Sequence, residues 1–365
     1  MKKTKVHKIG ILTAGGDCPG LNCVIRVIVK AAISEYGIEV IGFKDGYDGL
    51  VKNDYMNLRN RDVSGIITLG GTILGTSNTA NPYRYPVTKG KKLVLEDRSA
   101  DAITNYKANG LDCLIAIGGD GTLSIASKLM KDGLNIVGCP KTIDNDLSGT
   151  DITFGFESAV VTATEAIDKL HSTAQSHHRV MIVEVMGRYA GWIALFSGVA
   201  GGGDVILIPE IPYDMKKIAK KLYERHKVGK RFSIIVVAEG AKPKGGKMTV
   251  SKMVEASTDQ VRLGGVGTIL ANAIETMTGI EARATILGHL QRGGVPTPFD
   301  RNLATRYGYE SLNLAVKGRF GRMAAFQKGR VTSVPILRAI GKLKTVPLNH
   351  PFIGMAKALG TSFGD

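Results

Sequence analysis

Short apolar runs at residues 9–12, 40–43, 65–69, 114–117 and 136–137 alternate with the helix-patterned stretches 21–33 and 122–130. Such alternation predicts βαβ units on a parallel sheet. Several runs end in glycine-rich turns: AGGD at 14–17, GGT at 70–72 and GGDGT at 118–122. In a doubly wound sheet these turns fall at the carboxyl edge, where ligands bind. The second half repeats the pattern with strand-like runs at 180–185, 205–208, 233–238 and 284–287, separated by helical stretches such as 215–227. A second α/β domain is expected there, and the polar stretch GAKPKGGK at 240–247 is expected to be an exposed loop.

Composition narrows the class. With 365 residues, 44% of them apolar, the chain can bury the cores of two domains. The four cysteines, Cys18, Cys23, Cys113 and Cys139, have neither disulfide-framework nor zinc spacing. They fit a reducing, cytoplasmic setting. No run reaches membrane-spanning length, and the basic start is not followed by a signal-type apolar stretch. The net charge of +16 calls for anionic partners, phosphorylated metabolites or nucleic acid. The densest basic stretch, 216–231, repeats Ile218, Ala219 and Leu222 at helical spacing and reads as a solvated helix face. With aromatics at 6% and no recognisable module, nucleic acid is not expected.

Two segments carry the chemistry. In LIAIGGDGTL at 114–123, glycines let the backbone approach a ligand, and free amides at a helix start donate to phosphate oxygens. Asp120 at its centre suits a magnesium ion, directly or through water. The motif alone is shared with NAD kinases and lipid kinases, and no Walker A loop is present. In CPKTIDNDLSGTD at 139–151, Asp144 and Asp146 stand two apart. Phosphoryl transfer to an alcohol needs a proton acceptor worth roughly 10²- to 10⁴-fold, and one aspartate suits that role while the other suits the metal. Adjacent His177 and His178 lack further ligands at zinc spacing, and Trp192 reads as core.

Taken with TAGGDCPGLN at 13–22, MGRYAGW at 186–192 and GHLQRGG at 288–294, these motifs closely resemble the phosphofructokinase A family, in the same order and over most of the chain. Within it the chain resembles the mixed-substrate, Gly-plus-Lys group. The resemblance implies two Rossmann-like α/β domains with mainly parallel sheets: 1–155 with 289–340 for the donor, and 156–288 with 341–365 for fructose 6-phosphate. The active site then lies in the cleft between them. It implies a cytoplasmic glycolytic kinase that phosphorylates the 1-hydroxyl of fructose 6-phosphate, uses Mg²⁺ and assembles as a homotetramer.

By resemblance Gly16, Asn78, Gly119, Asp120, Gly121 and Thr122 bind the donor, and Asp120 holds the metal. Asp144, Thr142 and Arg188 are catalytic, with Asp144 as proton acceptor. Thr142, Ile143, Asp144, Met186, Gly187, Arg188, Glu239, His289, Leu290, Gln291 and Arg292 surround the sugar phosphate. Arg179 and Arg283 reach the 6-phosphate across a subunit interface, where a guanidinium's paired donors match phosphate oxygens.

Gly121 and Lys141 bear on the donor. Glycine leaves room for the α-phosphate of ATP, whereas lysine is the residue of pyrophosphate users. ATP is favoured on the steric ground, with pyrophosphate as the alternative. Asn78 departs from the family's arginine, so either a nearby cation, Arg84 or Lys141, supplies the missing charge or the rate is lower. A catalytically silent regulatory subunit and an NAD kinase are the remaining rivals. The second leaves PKTIDND and GHLQRGG without a role. Arg26 and Lys30 share one helix face, which suits either an effector anion or solvent.

Overall fold

The periodic pattern resolves into two mainly parallel sheets in the computed structural model, which describes residues 2–253 and 261–365. The first stretch contains β1 (Lys8–Thr13), α1 (Leu21–Ala31), β2 (Glu39–Phe43), α2 (Tyr47–Lys52), β3 (Tyr55–Asn57), β4 (Tyr85–Lys89) and β5 (Lys92–Glu96). It continues with α3 (Ser99–Ala108), β6 (Cys113–Gly118), α4 (Asp120–Lys131) and β7 (Ile136–Pro140). The middle stretch is α5 (Phe156–His177), β8 (Val180–Val185), α6 (Trp192–Ala200), β9 (Val205–Leu207), α7 (Met215–Lys227), β10 (Ser233–Ala238), β11 (Val250–Met253), β12 (Val261–Leu263), α8 (Val266–Thr278) and β13 (Ala282–Ile286). The chain ends with α9 (Pro298–Val316), β14 (Arg322–Gln327), β15 (Arg330–Pro335), α10 (Ile336–Ala339) and α11 (Pro351–Ala358).

A seven-stranded sheet runs β15-β14-β7-β6-β1-β2-β3. Its inner pairs are parallel, and antiparallel pairs β2–β3 and β14–β15 close its edges. The second sheet, β13-β8-β10-β9, is wholly parallel. Every residue of β6, β8 and β10 is buried. That is why these strands read as continuous apolar runs rather than alternating ones: helices cover both faces. α1 and α9 lie against each other beside the larger sheet, whereas α5 and α6 cover one face of the smaller one.

The run at 65–69 forms no strand. Gly65 takes a left-handed φ of 77°, and only the short 3-10 turn Ile66–Thr68 follows. The basic stretch does form a helix, α7, with Ile218 and Leu222 buried and most of its lysines in solvent. Residues 244–247 of the expected loop are exposed. The final segment returns to the smaller sheet, where Ser362 bridges Val205 and α11 rests on α6. Among the described residues no helix is long and apolar enough to cross a membrane.

Candidate active site

The loops that leave the carboxyl ends of β1, β6, β7, β8 and β10 all open into one cavity of about 720 Å³. On one wall, β6 runs into Gly118 and α4 starts at Asp120, with Gly119 as its extended N-cap. A Cβ on Gly118 would lie 2.3 Å from the Thr122 side chain, so glycine is what allows the helix to begin so close to the strand. No side chain caps this helix, and its first amides remain for an anion. The turn after β1 sits opposite: Gly15 has φ 80°, its amide donates to Ser77 O at 3.1 Å, and its carbonyl accepts from the Thr76 hydroxyl at 2.6 Å.

Two cations are fixed to that turn. The Lys141 ammonium donates to Gly16 O, and Arg292 Nη1 donates to Asp17 O at 3.1 Å. Arg292 packs so closely over Gly16 that a Cβ there would come within 2.4 Å of Nη1. Burial pushes the Lys141 ammonium down to about 8. The sequence left open which cation takes over from the missing arginine at Asn78. Asn78 and Lys141 both line the cavity, whereas Arg84 is exposed at the end of a 3-10 turn outside it.

The acceptor wall carries the carboxylates. The Asp144 amide donates to Thr142 Oγ1 at 3.1 Å, and Thr142 O accepts from the Thr153 hydroxyl at 2.7 Å. Asp144 Oδ1 is sealed from solvent and has no hydrogen-bond partner among the described residues. Burial raises the Asp144 pKa, while Arg292, Arg188 and Lys141 oppose that shift. Asp146 is raised to about 7 by burial and then by Asp144, and Glu239 to about 7 by the same two causes. The 186–188 and 239–240 loops interlock: Gly240 N donates to Gly187 O at 3.2 Å, and a Cβ on Gly240 would lie 1.8 Å from Arg188 O.

Gly16, Asn78, Gly119, Asp120, Gly121, Thr122, Lys141, Thr142, Asp144, Met186, Arg188, Glu239, His289 and Arg292 all line this cavity. Ile143 and Gly187 are buried beneath it. Gln291 also supports it from below, its Oε1 accepting from Met186 N at 3.3 Å. Leu290 is 67% exposed and does not line it. Arg179 and Arg283 stand outside the cavity and share Glu281, at 2.6 Å and 2.5 Å. Sequence reasoning missed Tyr47, Tyr189, Gly341 and Leu343, which also line the cavity. Gly341 N donates to Asp120 Oδ1 at 2.9 Å across 221 positions, and no local motif announces that contact.

Amides and cations suited to an anionic donor on one wall, with a bare carboxylate on the other, place the chain among the α/β phosphotransferases. Comparison with known proteins narrows this. The family model described as "Phosphofructokinase" matches residues 8–315. An ATP-dependent 6-phosphofructokinase 2 of Clostridium perfringens is 51% identical over 362 residues, 99% of each chain. An ATP-dependent 6-phosphofructokinase of Spirochaeta thermophila is 50% identical over the whole of both chains. Among solved structures, the Pichia pastoris phosphofructokinase in the T-state superposes with a TM-score of 0.77 at 31% identity, over 93% of this chain and 36% of that one. A pyrophosphate-dependent phosphofructokinase of Marinobacter aquaeolei shares the fold, with a TM-score of 0.78 at 21% identity, covering 94% of this chain and 86% of that one. The chain belongs to the phosphofructokinase family.

Proposed function

We infer that this chain is an ATP-dependent 6-phosphofructokinase, and that Asp144 takes the proton from the 1-hydroxyl of fructose 6-phosphate. The observation that carries this role is that Asp144, whose Oδ1 has no hydrogen-bond partner among the described residues, lines a cavity that also holds Arg188, Lys141 and Arg292. A buried carboxylate oxygen without a donor is an unmet acceptor, and a substrate hydroxyl meets it. The hydroxyl oxygen then attacks the γ-phosphorus, its proton passes to Asp144, and ADP leaves. The first amides of α4 and the ammonium of Lys141 line the same cavity, and with the donor bound there they would stabilise the charge that spreads over the phosphoryl oxygens in transfer. Lys141 also supplies the charge missing at Asn78.

The family's kinase reaction needs a divalent metal, and we assign Mg²⁺ here. Asp120, Asp144 and Asp146 line the same cavity, and their mutual repulsion suits a cation. No three His, Cys, Asp or Glu side chains among the described residues are placed to hold one unaided. Asp120 would therefore hold the ion together with donor phosphate oxygens and water, as magnesium commonly binds. Bound there, the ion neutralises charge on the donor.

By resemblance we assign Arg179 and Arg283 as 6-phosphate ligands lent to a neighbouring subunit of a homotetramer; within this chain they lie close together, each ion-paired with Glu281, an ion pair that a bound phosphate would replace. The domain division at 155, 289 and 341 is supported by the separate sheets and by the return of α11 to α6. Four free, buried cysteines support a cytoplasmic setting.

The test is fructose 1,6-bisphosphate formation by the purified chain with Mg²⁺ and fructose 6-phosphate, with ATP and pyrophosphate supplied in parallel. ATP is the expected donor. Activity with pyrophosphate alone would overturn that assignment in favour of Lys141 as its determinant. Asp144→Ser should lower kcat by roughly 10²- to 10⁴-fold while leaving ATP binding nearly unchanged; an unaltered rate removes Asp144 as the base.

A further inference from the structure

Asp144 and Asp146 are separated by Asn145, which takes a left-handed φ of 51°. Asparagine tolerates that conformation better than most non-glycine residues, and here its side chain is tied down on several sides. Asn145 is buried, and its Oδ1 accepts from Thr153 N at 3.1 Å. A second donor to the same oxygen arrives from 199 positions away: Lys344 Nζ, at 2.8 Å. The same ammonium donates to Thr150 O at 3.0 Å and to Asp151 O at 2.9 Å. An ammonium has three protons, so this one is fully committed to the loop that carries the two aspartates.

The backbone of Lys344 adds two more ties. Its amide donates to Asp146 O at 2.7 Å, and its carbonyl accepts from Trp192 Nε1 at 2.7 Å. Trp192 ends the loop that brings Met186 and Arg188 into the cavity. Two residues on, Val346 N donates to Glu210 Oε1 at 2.8 Å, and the same carboxylate oxygen accepts from Gly191 N at 3.0 Å. The segment around Lys344 thus joins the proton-acceptor turn to the sugar-binding loop. Lys344 does not line that cavity, whereas its neighbour Leu343 does.

We infer that Lys344 is a positioning residue for phosphoryl transfer, holding Asn145 in its left-handed turn so that Asp144 faces the acceptor hydroxyl while the sugar-binding loop stays in register with it. This rests on the reading of Asp144 as the proton acceptor. Orientation of a reacting group by neighbours that never touch substrate is worth on the order of 10- to 100-fold in rate. The effect falls on kcat, because the donor amides, Arg292 and His289 are held by other elements.

The experiment compares the wild-type chain with Lys344→Met and Lys344→Arg, measuring kcat, both KM values and thermal melting. For Lys344→Met we expect kcat on the order of 10- to 100-fold lower with both KM values within about twofold. Lys344→Arg keeps the charge without the tetrahedral donor set, and its kcat should fall between the other two. A Lys344→Met chain that melts earlier yet turns over at the wild-type rate overturns the inference, because Lys344 would then only stabilise the fold. Parallel loss in kcat and both KM values overturns it too. Should Lys344→Met not fold, Lys344→Arg decides: a several-fold lower kcat at unchanged KM supports positioning, and an unchanged kcat overturns it. A wild type silent with either donor overturns the phosphofructokinase reading and this inference together, whereas an active wild type isolates the result to Lys344.

Discussion

Lys141 shows how one buried side chain can set a limit on turnover. Its ammonium is enclosed beside Gly16 O, and burial lowers its pKa to about 8, with Arg292 adding to the shift. A lysine with a lowered pKa is charged below that value and neutral above it. If its charge stabilises the transferring phosphoryl group, kcat/KM for the donor should fall as pH rises through about 8, since this ratio reports the free enzyme. In Lys141→Met the rate should be lower throughout and that alkaline limb absent. The same limb in the Met variant would assign it to another group. The lysine itself was legible in the sequence as a donor-site residue. Its place as the cation on the wall shared with Asn78, with Arg84 left outside, depended on how the 3-10 turn at Pro82–Arg84 packs.

Elements whose ends are dictated by backbone geometry were the legible ones. GGDGT announces a strand-to-helix turn because residue 118 tolerates no Cβ, and that constraint is local. Gly118→Ala should destabilise the chain by about 1–3 kcal/mol and raise the donor KM, because the new methyl forces Thr122 and the start of α4 away from β6. Gly119→Ala meets its nearest atom, Lys141 O, only at 3.3 Å, and should cost less. Denaturant titration of both variants checks the order, and equal losses would show that the turn relaxes freely. At the sheet edges the apolar pattern marked β2 at 40–43 but missed its antiparallel neighbour β3 and the whole β14–β15 hairpin. β14 and β15 are joined through Lys328 and Gly329, both left-handed at φ 50° and 78°, a turn that the Lys-Gly pair signals only weakly. Lys344 was not legible at all, since its partners lie 193 to 199 positions away and only the packed chain brings them together.

The molecule as a whole depends on two of the three places where the chain crosses between its sheets, the starts of α5 and α9. Both converge on Asp300, which is wholly buried. Its Oδ2 accepts from the Ser158 amide and hydroxyl, each at 2.7 Å, and its own amide donates to Thr297 Oγ1 at 3.2 Å. Ser158 Oγ in turn accepts from Thr297 N at 3.0 Å, which closes the link between the two helix starts. Asp300 Oδ1 has no partner among the described residues, so its charge is incompletely compensated, and burial raises its pKa from 3.8 to about 6. A carboxylate raised on folding binds more protons in the folded state, so its contribution to stability falls as pH rises through about 6. Asp300→Asn keeps an oxygen for Ser158 and removes the charge. Between pH 5 and pH 8 the wild type should therefore lose stability relative to this variant, on the order of 1 kcal/mol. Urea unfolding of both chains at the two pH values measures the difference. A gap that does not change with pH would mean that Asp300 is charged in the folded protein throughout, held by its two Ser158 donors despite the bare oxygen.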